Sequence, residues 1–449
     1  MPLVVSVEEC GAVASLAPLA RGALSANNTR AFRACALRVG AAGGGTLLVP
    51  GPGSYVTAPF NLSSFTTLDV RFGATVFAQG AVDDWPLLPP LPSYVNSRDG
   101  GVRGGYWRLR YQPFVLAAGV GVRIIGGGTI DGNGWAWWMR DVYGGGPQQG
   151  GRPALVEVFE CTDAVVAGVT LRDSAFWTLH LFYSRGVHVR GVTVRAPRWA
   201  PNADGVDADS SEDVLIEDCD IACGDDHVAI KSGLGAAGRA FGRPARNVTV
   251  RGNVHRHGAG IAIGSEVSGG VENVFIYDVR HVGPSKRGFH VKTSPGRGGY
   301  VRNVHVRNVS FGEITQGAAI SVTTTSGDPR SEPKLDKALW TKVSGLHFDG
   351  VTRTAAKLEA RGRAVDIQCF PHLGCSDVTF GSIDLGALDG WCCDSVSASS
   401  TAGPNARLDA CLRRGAPARL CAFALFAYII ALIAARRLPR RTCLTKRQT

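Results

Sequence analysis

The sequence predicts an all-β fold, a single-stranded parallel β-helix whose stacked coils are closed at the N-terminal end by a helix. Three observations predict it. Val and Ile recur in short bursts between Gly, Asn and Asp, with 58 glycines and 2 methionines in 449 residues. One pattern repeats along the chain: "GVHVRGVTV" (186–194), "DVLIEDCDI" (213–221), "NVTVRGNV" (247–254), "NVFIYDV" (273–279), "NVHVRNVSF" (303–311), "GLHFDGV" (345–351) and "DVTFGSI" (377–383), with a degenerate copy, "AVVAGVTL" (164–171). Each copy sets Asn, Asp or Gly (Ala in the degenerate one) before an apolar-x-apolar strand, and copies recur about every 23 to 42 residues. Repeats of this period indicate a solenoid, and strands this short exclude helical repeats. Third, a solenoid end needs a cap, and one amphipathic stretch precedes the first strand.

That stretch, "NNTRAFRACALRV", reads as a helix with Asn28 or Thr29 as N-cap and Phe32, Cys35, Ala36 and Val39 on its apolar face. "GGGTLLVP" then starts the first strand. In each rung Val and Ile face inward and turn residues stand at the corners. One β-helix domain is expected over 4–411. The run "LCAFALFAYIIALIAA" (420–435) holds 16 uncharged residues. That is short for a bilayer span of about 20, but within reach with flanking arginines. Six basic residues follow it in the tail 436–449, and Arg407, Arg413, Arg414 and Arg419 precede it. A transmembrane anchor with a cytoplasmic tail is expected, a buried terminal helix being the alternative. A basic tail after the apolar run argues against a GPI signal. "MPLVVSVEECGA" lacks the basic start and long apolar core of a signal peptide.

The net charge of +11 is a property of the tail. From Leu412 onward there are nine basic residues and no acidic one, which leaves +2 for residues 1–411. Nucleic-acid binding is therefore not expected. Of twelve cysteines, Cys369, Cys375, Cys392, Cys393 and Cys411 cluster late without zinc-site spacing. They read as disulfides in an oxidising compartment, and sequons at Asn27, Asn61, Asn247 and Asn308 are compatible with it.

Chemistry is carried by acidic residues. "NADG" (202–205) lies just before one rung and "GDD" (224–226) just after it. Asp204 and Asp225 are 21 residues apart, about one coil, so Asp204 is expected beside Asp225 and Asp226 on an outer face. Gly224 lets the backbone bend so that both Asp side chains face one groove. Crowded carboxylates keep one proton near neutrality while the others stay ionised, which is the division glycoside hydrolysis needs. "DGVDADSSE" is rich in oxygen ligands but lacks the alternation and central Gly of a calcium loop. No metal and no cofactor is expected.

In order along the chain, "DGNGWAWW" (131–138), "NADG", "GDDHVAIKSG" (224–233), "GAGIAIGSE" (258–266) and "HVKT" (290–293) resemble the motifs of the polygalacturonases, glycoside hydrolases that cleave pectin. The resemblance covers roughly residues 4–411 and implies a right-handed, pectin lyase-like parallel β-helix. It implies Asp225 as general acid, with Asp204 and Asp226 holding and activating the water, and inversion at the sugar, which calls for the wider carboxyl separation. Lys292 would bind a substrate carboxylate, and Asn202 belongs to the same binding site. Three positions depart from the family: Ala259 and His290 replace its His and Arg, and His227 replaces its Cys. The Ala259 form occurs in a plant and bacterial branch. His257, close in sequence, reads as a surface turn histidine more than as a stand-in for the missing His. His290 either holds a carboxylate, which it would do only when protonated and so favour mildly acidic pH, or merely lines the groove. "GRGGY" (296–300) supplies either Arg297 or Tyr300 to the groove, or merely a corner. Trp135, Trp137 and Trp138 read as packing beneath the N-terminal coils more than as sugar platforms.

The expected protein is a monomeric, metal-free polysaccharide hydrolase of the cell wall or cell exterior, acting on galacturonic-acid-containing pectin. Its rivals are an inactive β-helix that binds cell-wall polysaccharide and a calcium-dependent pectate lyase.

Overall fold

The structure, a computed structural model, describes residues 3–15, 23–95, 109–142, 150–324, 339–354, 362–371, 373–386, 390–401 and 406–413. Short strands stack into three parallel ladders, one on each face of a right-handed β-helix. The first face includes Arg185–Arg190, Glu212–Glu217 and Ala245–Arg251. The second includes Thr193–Arg195, Asp220–Ala222 and Val254–His255. The third, the site face, carries Val156–Thr162, Leu179–Phe182, Val206–Asp209, Val228–Lys231, Ile261–Ile263 and Phe289–Lys292 in succession. Outside the coil, Leu87–Leu88 pairs antiparallel with Arg110–Tyr111.

The corner residues of the repeat have a physical reason. Asp213, Asn247, Asn273, Asn303 and Asp377 all have positive φ, between 52° and 56°. Asn and Asp enter that region more readily than other side chains. Stacked on successive coils, they also bond one another: Asn247 Nδ2 donates to Asp213 Oδ1 at 2.9 Å, Asn273 to Asn247 at 3.0 Å, and Asn303 to Asn273 at 2.6 Å. One residue further on, Val214, Val248, Val274, Val304, Leu346 and Val378 stack in register and are buried. Each such side chain contributes roughly 1.5–3 kcal/mol through its burial.

Helix α1 (Ala23–Ala41) caps the coil, and Phe32, Cys35, Ala36 and Val39 are buried beneath it as expected. Its start differs from the sequence reading. Asn28 and Thr29 lie inside the helix, not at its N-cap. Asn28 uses its amide to bond both the N–H and the carbonyl of Val13, and the Thr29 hydroxyl donates to the Ser25 carbonyl. A disulfide, Cys10–Cys35, ties the helix to the N-terminal strand region. Late in the chain Cys369 pairs with Cys375, and Cys392 and Cys393 are also disulfide-bonded. At three sequons the amide nitrogen is bonded internally: Asn27 to the Gly11 carbonyl, Asn247 to Asp213 and Asn308 to Asp278.

Helix α2 (Trp135–Val142) divides the tryptophans. Trp137 packs edge-on against Trp85 and Tyr111 in the main core, and Trp138 is buried against Ala196, Ala200 and Ala203. Trp135 is 56% exposed and meets Trp199 edge-on. The apolar run 420–435 and the tail 436–449 lie outside the described residues. No described helix is long and apolar enough to cross a membrane.

Candidate active site

The register of the site face brings the three aspartates together. Val206 lies opposite Val228, an offset of 22 residues. Carried two residues back, it sets Asp204 beside Asp226, and the Gly205 N–H donates to the Asp226 carbonyl at 2.9 Å. The spacing of 21 had aligned Asp204 with Asp225; the difference of one residue is taken up at the corner that Gly224 turns. A Cβ on Gly224 would stand 1.9 Å from the Ala200 carbonyl oxygen, so a side chain is excluded there. Asp225 is fixed by the Ala259 N–H, which donates to its carbonyl at 2.7 Å.

Burial, then repulsion by Asp207 and Asp225, raises the Asp204 carboxyl well above the usual range. Burial, then the charge of Asp226, also raises Asp225, against the pull of Lys292, Lys286 and Lys231. Asp204 and Asp226 are buried, while Asp225 is partly exposed. Lys292 Nζ donates to Asp226 Oδ2 at 2.6 Å, and its side chain keeps 25% of its surface in solvent. An ammonium has three donors, so Lys292 retains donors for a second anion.

Behind the aspartates lies a second buried tier that the sequence reading missed. Lys231 Nζ stands 3.3 Å from Glu266, 3.5 Å from Asp207 and 3.8 Å from Asp204, and 4.4 Å from the Trp177 ring centroid. Burial works against its charge, and the three carboxylates outweigh it, holding its pKa well above the ordinary value. Burial would raise Glu266, but Lys231, Arg297 and Lys292 bring it down to about 2. Asp207, pushed up by burial and pulled back by Lys231, stands at about 7. Lys231 is part of "GDDHVAIKSG", yet its partners lie on neighbouring coils, so only the register reveals them. Lys286 was also missed. Its Nζ donates to the Gly224 carbonyl at 3.3 Å, next to Asp225.

The remaining predicted residues divide. Asn202 accepts from the buried Arg152 at 3.0 Å, and Arg152 also donates to the Ala175 and Pro201 carbonyls, which fixes the loop before Asp204. His257 is held at the Ala196 carbonyl, 2.9 Å away, and so ties that loop to the next coil. His290 lies on the site face, in register with Ala262 and Ser321. Burial, then the charges of Lys292 and Arg287, hold its pKa well below the ordinary value. Tyr300 points elsewhere. Its ring lies against Gly270, Arg302 sits 4.5 Å from the ring centroid, and Glu272 is a hydrogen-bond partner. Of the "GRGGY" pair it is Arg297 that joins the site, through its attraction for Glu266 and a bond to the Ser265 carbonyl.

At the C-terminal ends of the strands Leu179–Phe182, Val206–Asp209 and Val228–Lys231 the same face is covered. Ser93 and Tyr94 lie across it: the Ser93 N–H donates to the Tyr183 hydroxyl, Tyr94 donates to Asp209, and the Leu234 N–H donates to the Ser93 carbonyl. Leu91, Tyr94, Phe176, Trp177, Phe182, Tyr183 and Leu234 form an apolar cluster on the outside of the coil. Below them His180 stands 3.0 Å from Glu157 and 3.6 Å from Asp209. Burial works against its charge, but bonds to these two acids raise it to about 9.

Residues 106–402 match the glycosyl hydrolases family 28. The "Probable polygalacturonase" of Vitis vinifera is 32% identical over 381 residues, covering 83% of this chain and 75% of that one. An exopolygalacturonase of Rhizopus delemar is 25% identical over 358 residues, covering 76% and 80%. In fold, the chain is similar to a hyperthermoactive exopolygalacturonase from Thermotoga maritima, with a TM-score of 0.73 at 23% identity over 89% of this chain and 90% of that one. With stacked carboxylates on one face of a parallel β-helix and the motifs in matching order, the chain belongs to the glycosyl hydrolases family 28.

Proposed function

We propose that the protein hydrolyses galacturonic-acid-containing pectic polysaccharide by inverting acid–base catalysis, with Asp225 as acid and Asp226 as base. The observation that carries this reading is the stacking of Asp204 on Asp226 with the partly exposed Asp225 beside them. Asp225, its pKa raised by burial and by Asp226, gives its proton to the glycosidic oxygen as the bond from that oxygen to the sugar carbon breaks. A water held between Asp204 and Asp226 attacks the same carbon from the opposite side, and its proton passes to Asp226. Exchange with solvent restores both groups. Lys292 and Lys286, cations on either side of Asp225, suit a substrate with one carboxylate per sugar. The disulfides fit an extracellular setting.

The covering segment supports attack at a chain end, because it narrows the site face on the coils that carry the aspartates. The names of the Rhizopus and Thermotoga proteins agree with that mode. The test of the reaction is to incubate the protein with polygalacturonate, with and without a chelator, following reducing ends and the ultraviolet absorbance of unsaturated products. Hydrolysis gives reducing ends without absorbance, insensitive to chelator. Calcium-dependent absorbance would show a lyase, and silence across a panel of pectins would show a binding module.

A further inference from the structure

Beneath the aspartates, inside the coil, three histidines converge. His227 follows Asp226 directly, His255 lies in the second-face strand Val254–His255, and His281 is its neighbour in register on the next coil. One nitrogen from each lies within 4.8 Å of the others, and all three rings are buried. His227 and His255 stack almost parallel with centroids 4.5 Å apart, and His281 meets His255 edge-on at 4.7 Å. All four ring nitrogens of His255 and His281 lack a hydrogen-bond partner among the described residues. Buried polar groups in this state are costly, so two adjacent ones need an explanation.

We propose that His227, His255 and His281 form a structural site for one late first-row transition-metal ion, zinc or copper, within the coil. Neutral imidazole is the natural ligand of both ions. Metal–nitrogen bonds of about 2.0–2.1 Å need the three nitrogens roughly 3.3–3.5 Å apart and the ion near each ring plane, so binding requires the parallel His227 and His255 rings to turn toward a common point. His227 differs from the other two: its Nδ1 accepts from the Gly260 N–H at 3.2 Å and its Nε2 lies 3.3 Å from the Arg256 carbonyl, so it gives up one of these bonds to become a ligand. The carboxylate of Asp226 next in sequence offsets the positive charge. The ion is enclosed and remote from solvent, so it enters as the chain folds and takes no part in hydrolysis.

The test uses the full chain without a polyhistidine tag. The protein is purified from cells supplied with zinc or with copper, dialysed against a chelator, and its metal measured by mass spectrometry. In parallel it is unfolded, stripped, and refolded with zinc, with copper under a reductant, or with neither. The site predicts about one equivalent per chain that survives dialysis, and a melting temperature several degrees higher after refolding with the bound metal than without. His255→Phe, which keeps an aromatic ring between those of His227 and His281, should fold yet hold no metal; refolding the unaltered chain decides the matter if it does not fold. Metal removed by dialysis together with equal melting temperatures in all refolding arms would overturn the site. So would undiminished metal in a folded His255→Phe protein.

Discussion

The two halves of the site face share one strand ladder, one register and one supply of charged side chains, yet they have different fates. Beneath the covering segment, His180, Asp209 and Lys231 point outward from the coil and are buried, because Leu91, Ser93, Tyr94 and the aromatic cluster lie over them. Outside that cover, Asp225 and Lys292 point from the same face and keep contact with solvent. Covered charges must satisfy one another, and they do: Arg110 with Glu157, Glu157 with His180, Lys231 with Glu266 and Asp207. In the open half Lys292 is paired with Asp226 and still has donors to offer. The cover, more than the residue type, decides whether an outward charge is scaffold or chemistry.

The largest effect that sharpens this contrast is expected at Asp225. Asp225→Asn should lower turnover by roughly 10²–10⁴-fold while the melting temperature stays near that of the unaltered protein. Near-full activity in that variant would refute the acid assignment. In the covered half the loss should be in stability instead. Lys231→Met leaves Glu266 and Asp207 without their cation, and unfolding in urea should show a cost of roughly 3–5 kcal/mol.

The covered half also has a pH signature. Glu266, ordinarily near 4.5, is brought down to about 2 in the folded protein. Its contribution is therefore complete above about 4.5 and is lost as pH falls toward 2. Lys231→Met should flatten that acid limb of the stability curve. In the open half, activity should fall on the alkaline side as Asp225 loses its proton. Lys292 lowers the Asp225 pKa, so Lys292→Met should move this limb to higher pH as well as raise KM. A limb that moves down would contradict the assignment. The smallest change is expected at Tyr300, which faces Gly270 and Glu272; Tyr300→Phe should leave kcat/KM within about twofold.

Much of this was legible in the sequence. The Asn and Asp corners announce the coil because the left-handed corner and the amide ladder need those side chains. The motif order brings Asp204, Asp225, Asp226 and Lys292 to one place. What escaped depends on neighbouring coils. Lys231 meets Asp207 and Glu266 only through the register, and Arg152 reaches Asn202 across 50 residues. The run "SANNT" (25–29) resembles a cap, but Asn28 is committed to the Val13 backbone, a contact no local rule reveals. The segment that covers the site face, "LPSYV" (91–95), belongs to none of the repeats or motifs. Its importance lies in Tyr94 meeting Asp209 more than a hundred residues on.

The closing of the face by that segment is tested most directly by the first products released from long galacturonate oligomers, separated by size at early times. Attack from a chain end predicts one short product from the outset, with the remaining oligomers shortening stepwise. A broad ladder of intermediate sizes at the earliest times would contradict it and show that the chain passes through the covered half of the face.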